Sequence, residues 1–289
     1  MKKLYWIFAL LLLFFVGDRI GGYLLHQLTV KSQFRYSRMY QGKAASEILL
    51  IGNSRGLTFY QPYIEEITGK KTFNLSYNGM PINLAKLLVQ DYLALYEKPA
   101  LAIIDVTMCD RLNEQLIAGF NLYSPYSENL TKYLIDSLPT TGYAGKLSHL
   151  YRYNSEVFQR SLFYLNKSDE DWLLDRTINE HLIQEVGNQE PKIDVMPFEL
   201  AELQATIKML ETAGVEVQLV ISPYYPPYVD RLTNLPVMKA KIEKATGKKV
   251  NDYAKGITEV KAFGDYQHLN KYGSKRYLDQ LQRDGILPK

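Results

Sequence analysis

Apolar residues run unbroken from Leu4 to Val16, include Trp6, Phe8, Phe14 and Phe15, and carry no charge. A run that is apolar on every face is not the stripe of a surface helix. Its 13 residues match a signal-peptide core. Continued through Leu25, it becomes a helix of about 33 Å, enough to cross a bilayer. Asp18 and Arg19 then lie near the far interface, where long side chains snorkel. No small-x-small cleavage pattern follows, which favours an uncleaved signal anchor over a cleaved signal. Lys2 and Lys3 precede the span, so the positive-inside rule puts the N-terminus in the cytoplasm and everything after about residue 28 outside. Residues 1–27 are therefore read as a membrane anchor. Residues 28–45, rich in Arg, Ser, Gln and Lys, are read as a juxtamembrane connector.

From residue 46 to 289 the pattern alternates between short apolar runs and helical periods. Glu47–Gly52, Lys71–Ser76, Leu101–Val106, Val215–Ile221 and Ile257–Phe263 read as strands. Tyr60–Thr68 (stopped by Gly69), Pro81–Glu97, Pro197–Gly214 and about Lys271–Arg283 read as helices. This alternation predicts an α/β fold. A mostly parallel, flavodoxin-like sheet would lie between two helical layers as a three-layer α/β/α sandwich. Ligands of such sheets sit beyond the carboxyl ends of the strands. One connection, about 110–193, is unusually long for this architecture. It is tyrosine-rich and has helical stretches at Glu128–Ser137 and Ser155–Leu165. It is an insertion that either walls the active-site face or covers the sheet edge.

Composition narrows the function. The chain has 289 residues, 46% hydrophobic and 22% charged, which excludes a disordered or low-complexity protein. A net charge of +3, from 34 Lys+Arg against 31 Asp+Glu, leaves no electrostatic footprint for nucleic acid. The single cysteine, Cys109, excludes an intramolecular disulfide and a Cys-rich zinc site. No phosphate-binding glycine loop or metal cluster is present, so no cofactor is expected.

The strand ends carry the chemistry. Gly52-Asn53-Ser54-Arg55-Gly56 follows the first strand and sets a serine in a tight turn at a helix start, where backbone N–H groups face an oxyanion. A serine nucleophile needs a base, and the base needs an orienting group. Of four histidines, His26, His149 and His181 lie in structural or surface contexts. His268 stands after the last strand, in Gly264-Asp265-Tyr266-Gln267-His268-Leu269-Asn270, with Asp265 three residues earlier to hold its tautomer. Gly52-x-Ser54-x-Gly56 also fits the nucleophile elbow of α/β-hydrolases. That fold is disfavoured, because here the serine ends the first strand and acid and base share one loop.

Three elements in this order resemble the SGNH/GDSL hydrolase superfamily over roughly residues 46–289. They are Gly-Asn-Ser-Arg after strand one, Asn74-Leu75-Ser76-Tyr77-Asn78-Gly79 after strand two, and Asp265-x-x-His268-Leu269-Asn270 near the C-terminus. The resemblance implies Ser54 as nucleophile, His268 as general base and Asp265 as orienting acid. It also implies an oxyanion hole built from the Ser54 N–H, a donor after strand two and an asparagine after strand three. Ser76 stands at the second position, with Asn78 a nearby candidate. Cys109 stands at the third, where a thiol is a weak donor and Asn113 or an insertion residue is the substitute. Cys109 as a nucleophile has no histidine partner. Ser222–Tyr228, with its prolines and tyrosines, either lines the acyl or sugar site or packs the loop.

Two classes of function follow. The first, implied by the resemblance, is a serine esterase or O-acyltransferase acting on an acyl ester of a cell-envelope glycan or related polymer, with a membrane acyltransferase as a candidate partner. The second is a non-catalytic envelope protein that keeps the fold for binding or assembly.

Overall fold

The computed structural model describes residues 2–168, 172–188 and 190–289, with the side chains of Lys2, Lys3 and Leu4 outside that description. The chain forms two compact units, Ala44–Asn113 with Glu170–Lys289, and Met1–Lys43 with Glu114–Asp169.

The first of these is the α/β unit. Its five strands are β1 (Ile48–Ile51), β2 (Thr72–Asn74), β3 (Leu101–Asp105), β4 (Glu216–Ile221) and β5 (Val250–Asp252). They form one all-parallel sheet in the order β2-β1-β3-β4-β5, which is the flavodoxin-like order. β1 and β3 are buried along their whole length, as parallel strands covered on both faces must be. Helices Gln61–Thr68 and Lys271–Arg283 are joined by Tyr63–Asp279 and Gln282–Ile67 hydrogen bonds. Helices Ile82–Leu95, Pro197–Thr212 and Leu235–Thr246 are joined through Lys86–Glu202 and Gln204–Ala245. These two groups are the outer layers of the expected sandwich. Gly69 ends its helix in the left-handed region at φ 65°, which a residue without Cβ enters at no steric cost.

One strand differs from the sequence reading. Ile257–Phe263 is not the last strand; it holds a short 3₁₀ turn at Val260–Ala262. The fifth strand is Val250–Asp252, preceded by a helix, Leu235–Thr246, that the reading did not assign. Ile257, Ala262 and Phe263 are buried, so their apolar pattern reflects loop packing against the core. Phe263 forms an isolated bridge to Leu269 and accepts the Ile178 N–H. β5 has only three residues and one apolar side chain, so it gives almost no periodic signal. The closing helix spans Lys271–Arg283 as expected.

The other unit contains the N-terminal helix Lys2–Lys31. Among the described residues this is the one helix long and apolar enough to cross a membrane, over Tyr5–Lys31. Tyr5 to Val16 are all exposed apolar side chains. Beyond them, Asp18, Gly22 and Thr29 are buried along one helix face. The stretch expected as a connector begins inside this helix and continues as a second helix, Arg35–Tyr40, with Phe34, Arg35, Tyr36, Ser37 and Met39 buried. Ser37 bonds the Tyr123 hydroxyl, and Ser32 donates to the Ser161 carbonyl. Within the long connection, helix Glu128–Ser137 is capped by Ser127 and Glu156–Phe163 by Ser155, the residue type that satisfies orphan N–H groups at helix starts.

Candidate active site

β1 delivers the chain into Gly52–Gly56, and two close approaches explain its glycines. A Cβ on Gly52 would lie 2.7 Å from the Gly56 Cα, and one on Gly56 would meet the Ser76 Oγ. No side chain fits at either position. Asn53 Oδ1 accepts the Arg55 N–H at 2.9 Å and closes the turn locally. Ser54 then precedes the 3₁₀ turn Arg55–Thr58 with its side chain half-buried.

The loop 264–270 brings the second group. Asp265 Oδ1 accepts the N–H groups of Gln267 at 2.8 Å and His268 at 2.9 Å. His268 Nδ1 lies 2.9 Å from both Asp265 carboxylate oxygens, and His268 Nε2 lies 2.9 Å from Ser54 Oγ. An ionised carboxylate only accepts, so Nδ1 carries the proton and donates to Asp265. Nε2 then accepts from the Ser54 hydroxyl. Burial pushes the Asp265 carboxyl upward, but the hydrogen bond and charge of His268, with the two N–H groups, outweigh it and hold it below the ordinary 3.8. The aspartate is therefore ionised across the neutral range and keeps the imidazole in the tautomer that can take a serine proton.

The residues after His268 anchor the loop. Asn270 Oδ1 accepts the Gly273 N–H and caps the closing helix, while its Nδ2 donates to the carbonyls of Arg176 and Lys261. A Cβ on Gly273 would lie 2.0 Å from the Ala262 carbonyl oxygen. His-Leu-Asn followed by Gly273 is thus a docking element that sets where the histidine stands.

Arg55 follows Ser54 in the same turn. Its buried guanidinium donates to the carbonyls of Gln267, Ser222 and Pro223 and stacks 3.3 Å over the Tyr224 ring. It ties the turn after β1 to the loop after β4 and to the histidine loop. At the end of β3, Asp105 is fully buried. It accepts from the Thr107 N–H and hydroxyl and from the Ser222 N–H. The two side chains brace neighbouring strand ends.

Beside Ser54 is a cavity of about 170 Å³, lined by Asn53, Arg55, Thr107, Asp110, Arg111, Lys192 and Ile193 together with Tyr224, Tyr228 and Gln267. Tyr224 and Tyr228 come from the Pro/Tyr run after β4. Tyr228 receives a hydrogen bond from Gln267 and stacks on Tyr266. Burial raises the pKa of both tyrosines, so they are neutral donors at neutral pH. Arg111 is paired in bidentate fashion with Asp110. That hydrogen bond outweighs burial and keeps the guanidinium charged. Sequence reasoning missed Lys192, Arg111 and Gln267, because only the strand order brings their segments to one cavity.

Of the oxyanion candidates, Ser54 alone lines this cavity. Ser76 is fully buried, and its N–H donates to Asn74 Oδ1 at 2.8 Å. Asn78 is exposed on a turn. Asn113 donates to the Gly79 carbonyl at 3.0 Å. Cys109 is fully buried, and burial, then neighbouring carboxylates, push its thiol well above 9.0. It is neutral and closed to a substrate.

No protein-family profile matches the chain, and no curated protein matches it. Among solved structures it is similar to a putative acylhydrolase from Bacteroides fragilis, with 12% identity, 83% of this chain and 88% of that one covered, and a TM-score of 0.39. It is also similar to a GDSL-like lipase from Bacteroides thetaiotaomicron, with 12% identity, 88% and 98% covered, and a TM-score of 0.41. At this identity and superposition, neither likeness carries a residue's role over to this chain.

Proposed function

We propose that the protein is a serine-dependent esterase or O-acyltransferase of the SGNH/GDSL type. The observation that carries this is the hydrogen-bonded chain from Ser54 through His268 to Asp265, at 2.9 Å per link. Ser54 Oγ attacks the ester carbonyl as its proton passes to His268 Nε2. The imidazolium, stabilised by Asp265, returns that proton to the leaving alcohol oxygen as the ester C–O bond breaks. Water or a second hydroxyl then attacks the acyl-serine. His268 takes the attacking proton and restores it to Ser54 Oγ. Hydrolysis and transfer share the first half of this sequence. The Ser54 N–H is the oxyanion donor that the turn supplies.

The substrate we propose is an acyl ester of a cell-envelope glycan. Two features support it: the polar wall of tyrosines, arginines and Lys192 beside Ser54, and a helix able to anchor the chain. The N-terminus would lie in the cytoplasm and the α/β unit outside, with a membrane acyltransferase as the partner. One observation favours a second reading, a non-catalytic binding protein on this fold. The Ser76 N–H is committed to Asn74 and Cys109 is buried, which leaves the oxyanion hole short of donors. Loss of one such donor costs on the order of 100- to 1000-fold in rate.

Fluorophosphonate labelling of the full chain in detergent, read by intact mass, separates the two. One adduct that disappears in Ser54→Ala establishes an activated serine. No adduct on folded wild-type protein refutes the enzyme reading.

A further inference from the structure

The N-terminal helix has two zones. Tyr5 to Val16 present apolar side chains to the outside, and from Asp18 onward one face is covered by the segment 147–153. Asp18 is 4% exposed. Its carboxylate accepts from the Ser148 hydroxyl at 2.5 Å, the His149 N–H at 2.8 Å and the Leu150 N–H at 3.1 Å, and from Arg19 at 2.8 Å. Arg19 also donates to the Leu147 carbonyl and lies over the Phe15 ring. Gly21 and Gly22 make room for the segment. A Cβ on Gly22 would lie 2.4 Å from the His149 Cβ, and one on Gly21 would lie 2.9 Å from a Leu150 methyl. The covered face thus seats the His149 Cβ and the Leu150 side chain directly on the helix backbone.

Length then sets depth. Tyr5–Val16 spans about 18 Å at 1.5 Å per residue, well short of a hydrocarbon core of about 30 Å. A spanning helix that starts at Tyr5 must stay immersed to about Leu24. The segment 147–151 meets the helix between Asp18 and Gly22, several ångströms inside that limit. Its own outward side chains fit such a place. Leu147 is 78% exposed, and Leu150 and Tyr151 join Ile20, Tyr23 and Leu24 of the helix as exposed apolar groups. Polar backbone at membrane depth must be satisfied internally, and an intramembrane charge must be paired. The Asp18 cluster does both.

We propose that Leu147–Tyr151 enters the outer leaflet beside the N-terminal helix, with lipid acyl chains against the exposed side chains of Leu147, Leu150 and Tyr151 and, on the far side of the helix, against Ile20, Tyr23 and Leu24. Asp18 is the residue that brings this second segment into the bilayer. The protein is then held by a span and a re-entrant wedge together, which restricts rotation and tilt of the unit on the membrane. The proposal rests on the reading of the N-terminal helix as a membrane span.

The test uses full-length protein in phosphatidylcholine–phosphatidylglycerol vesicles containing doxyl-labelled lipid. An NBD fluorophore is placed on Leu147→Cys, Ile20→Cys, Phe8→Cys or Lys132→Cys. Unsubstituted protein is the blank, since Cys109 is fully buried. Lys132 is an exposed polar site of the same unit. The expected result is lipid quenching and blue-shifted emission at Phe8, Ile20 and Leu147, with an aqueous signal at Lys132. Quenching at Phe8 and Ile20 with an aqueous signal at Leu147 overturns the proposal and leaves the span standing. Quenching at Phe8 alone overturns it by placing the helix shallower. No quenching at Phe8 or Ile20 removes the span itself.

Discussion

Asp265 and Asp18 solve the same physical problem in the two units, with opposite consequences. Each carboxylate accepts the N–H groups of two successive residues, Gln267 and His268 in one case, His149 and Leu150 in the other. Asp265 reaches two and three residues along its own loop and spends its remaining capacity on an imidazole whose far nitrogen faces a hydroxyl. Asp18 reaches about 130 residues along the chain and spends its remaining capacity on Ser148 and Arg19. The first arrangement ends in a group that can accept and return a proton. The second ends in groups already satisfied and holds two segments together. The motif of a carboxylate over two amides says nothing about role; the last partner decides it.

The sharpest way to break this comparison is Asp265→Asn. It should slow fluorophosphonate labelling of Ser54 by about 10⁴-fold, because the amide supports the wrong imidazole tautomer. Asp18→Asn should leave that rate unchanged. Equal losses in both would mean that the two carboxylates do not divide into chemistry and assembly. Arg55→Lys comes next. An ammonium lacks the forked donors that reach the Gln267, Ser222 and Pro223 carbonyls together, and displacing the histidine loop by about 1 Å costs on the order of 100-fold. Labelling kinetics with an unchanged far-UV spectrum would show it, and wild-type kinetics would remove Arg55 as a positioning residue.

Smaller effects refine the picture. Asp18→Asn weakens the contacts to Ser148, His149, Leu150 and Arg19 at once, and the thermal transition of the protein in detergent should fall by the equivalent of about 1–3 kcal/mol. Asn270→Ala removes a helix cap and should cost about 1 kcal/mol by denaturant titration; no change would contradict its docking role. The pH dependence is smallest. Asp265 has a folded pKa below its ordinary 3.8. Its contribution to stability is therefore complete above about pH 4 and is lost as pH falls through the lower folded value. Acid unfolding of Asp265→Asn should lack that component. Superimposable acid transitions for mutant and wild type would show that the carboxylate is not stabilised by its loop.

How much of this could be read in advance follows from the range of each interaction. Ser54, Asp265 and His268 could be singled out because a tight turn after β1 and an Asp-x-x-His loop leave local residue signatures. The helices Glu128–Ser137 and Lys271–Arg283 were legible because caps and periodicity act within a few residues. β5 was missed because a three-residue strand takes its place from its neighbour β4, through pairs such as Leu219 with Val250. Ile257–Phe263 misled because a buried loop and a strand share the same apolar pattern.

By itself the sequence determined the alternation that makes a parallel α/β sheet, the apolar N-terminal helix, and the local segments that carry Ser54 and the Asp265–His268 pair. All of these depend on contacts or periodicities within one element. Only the tertiary structure decided that Arg55 clamps three loops, that Ser76 and Cys109 are buried away from the cavity, and that Asp18 holds Ser148–Leu150. Those facts depend on side chains meeting across 20 to more than 200 residues of chain, and no local pattern encodes a partner at that distance.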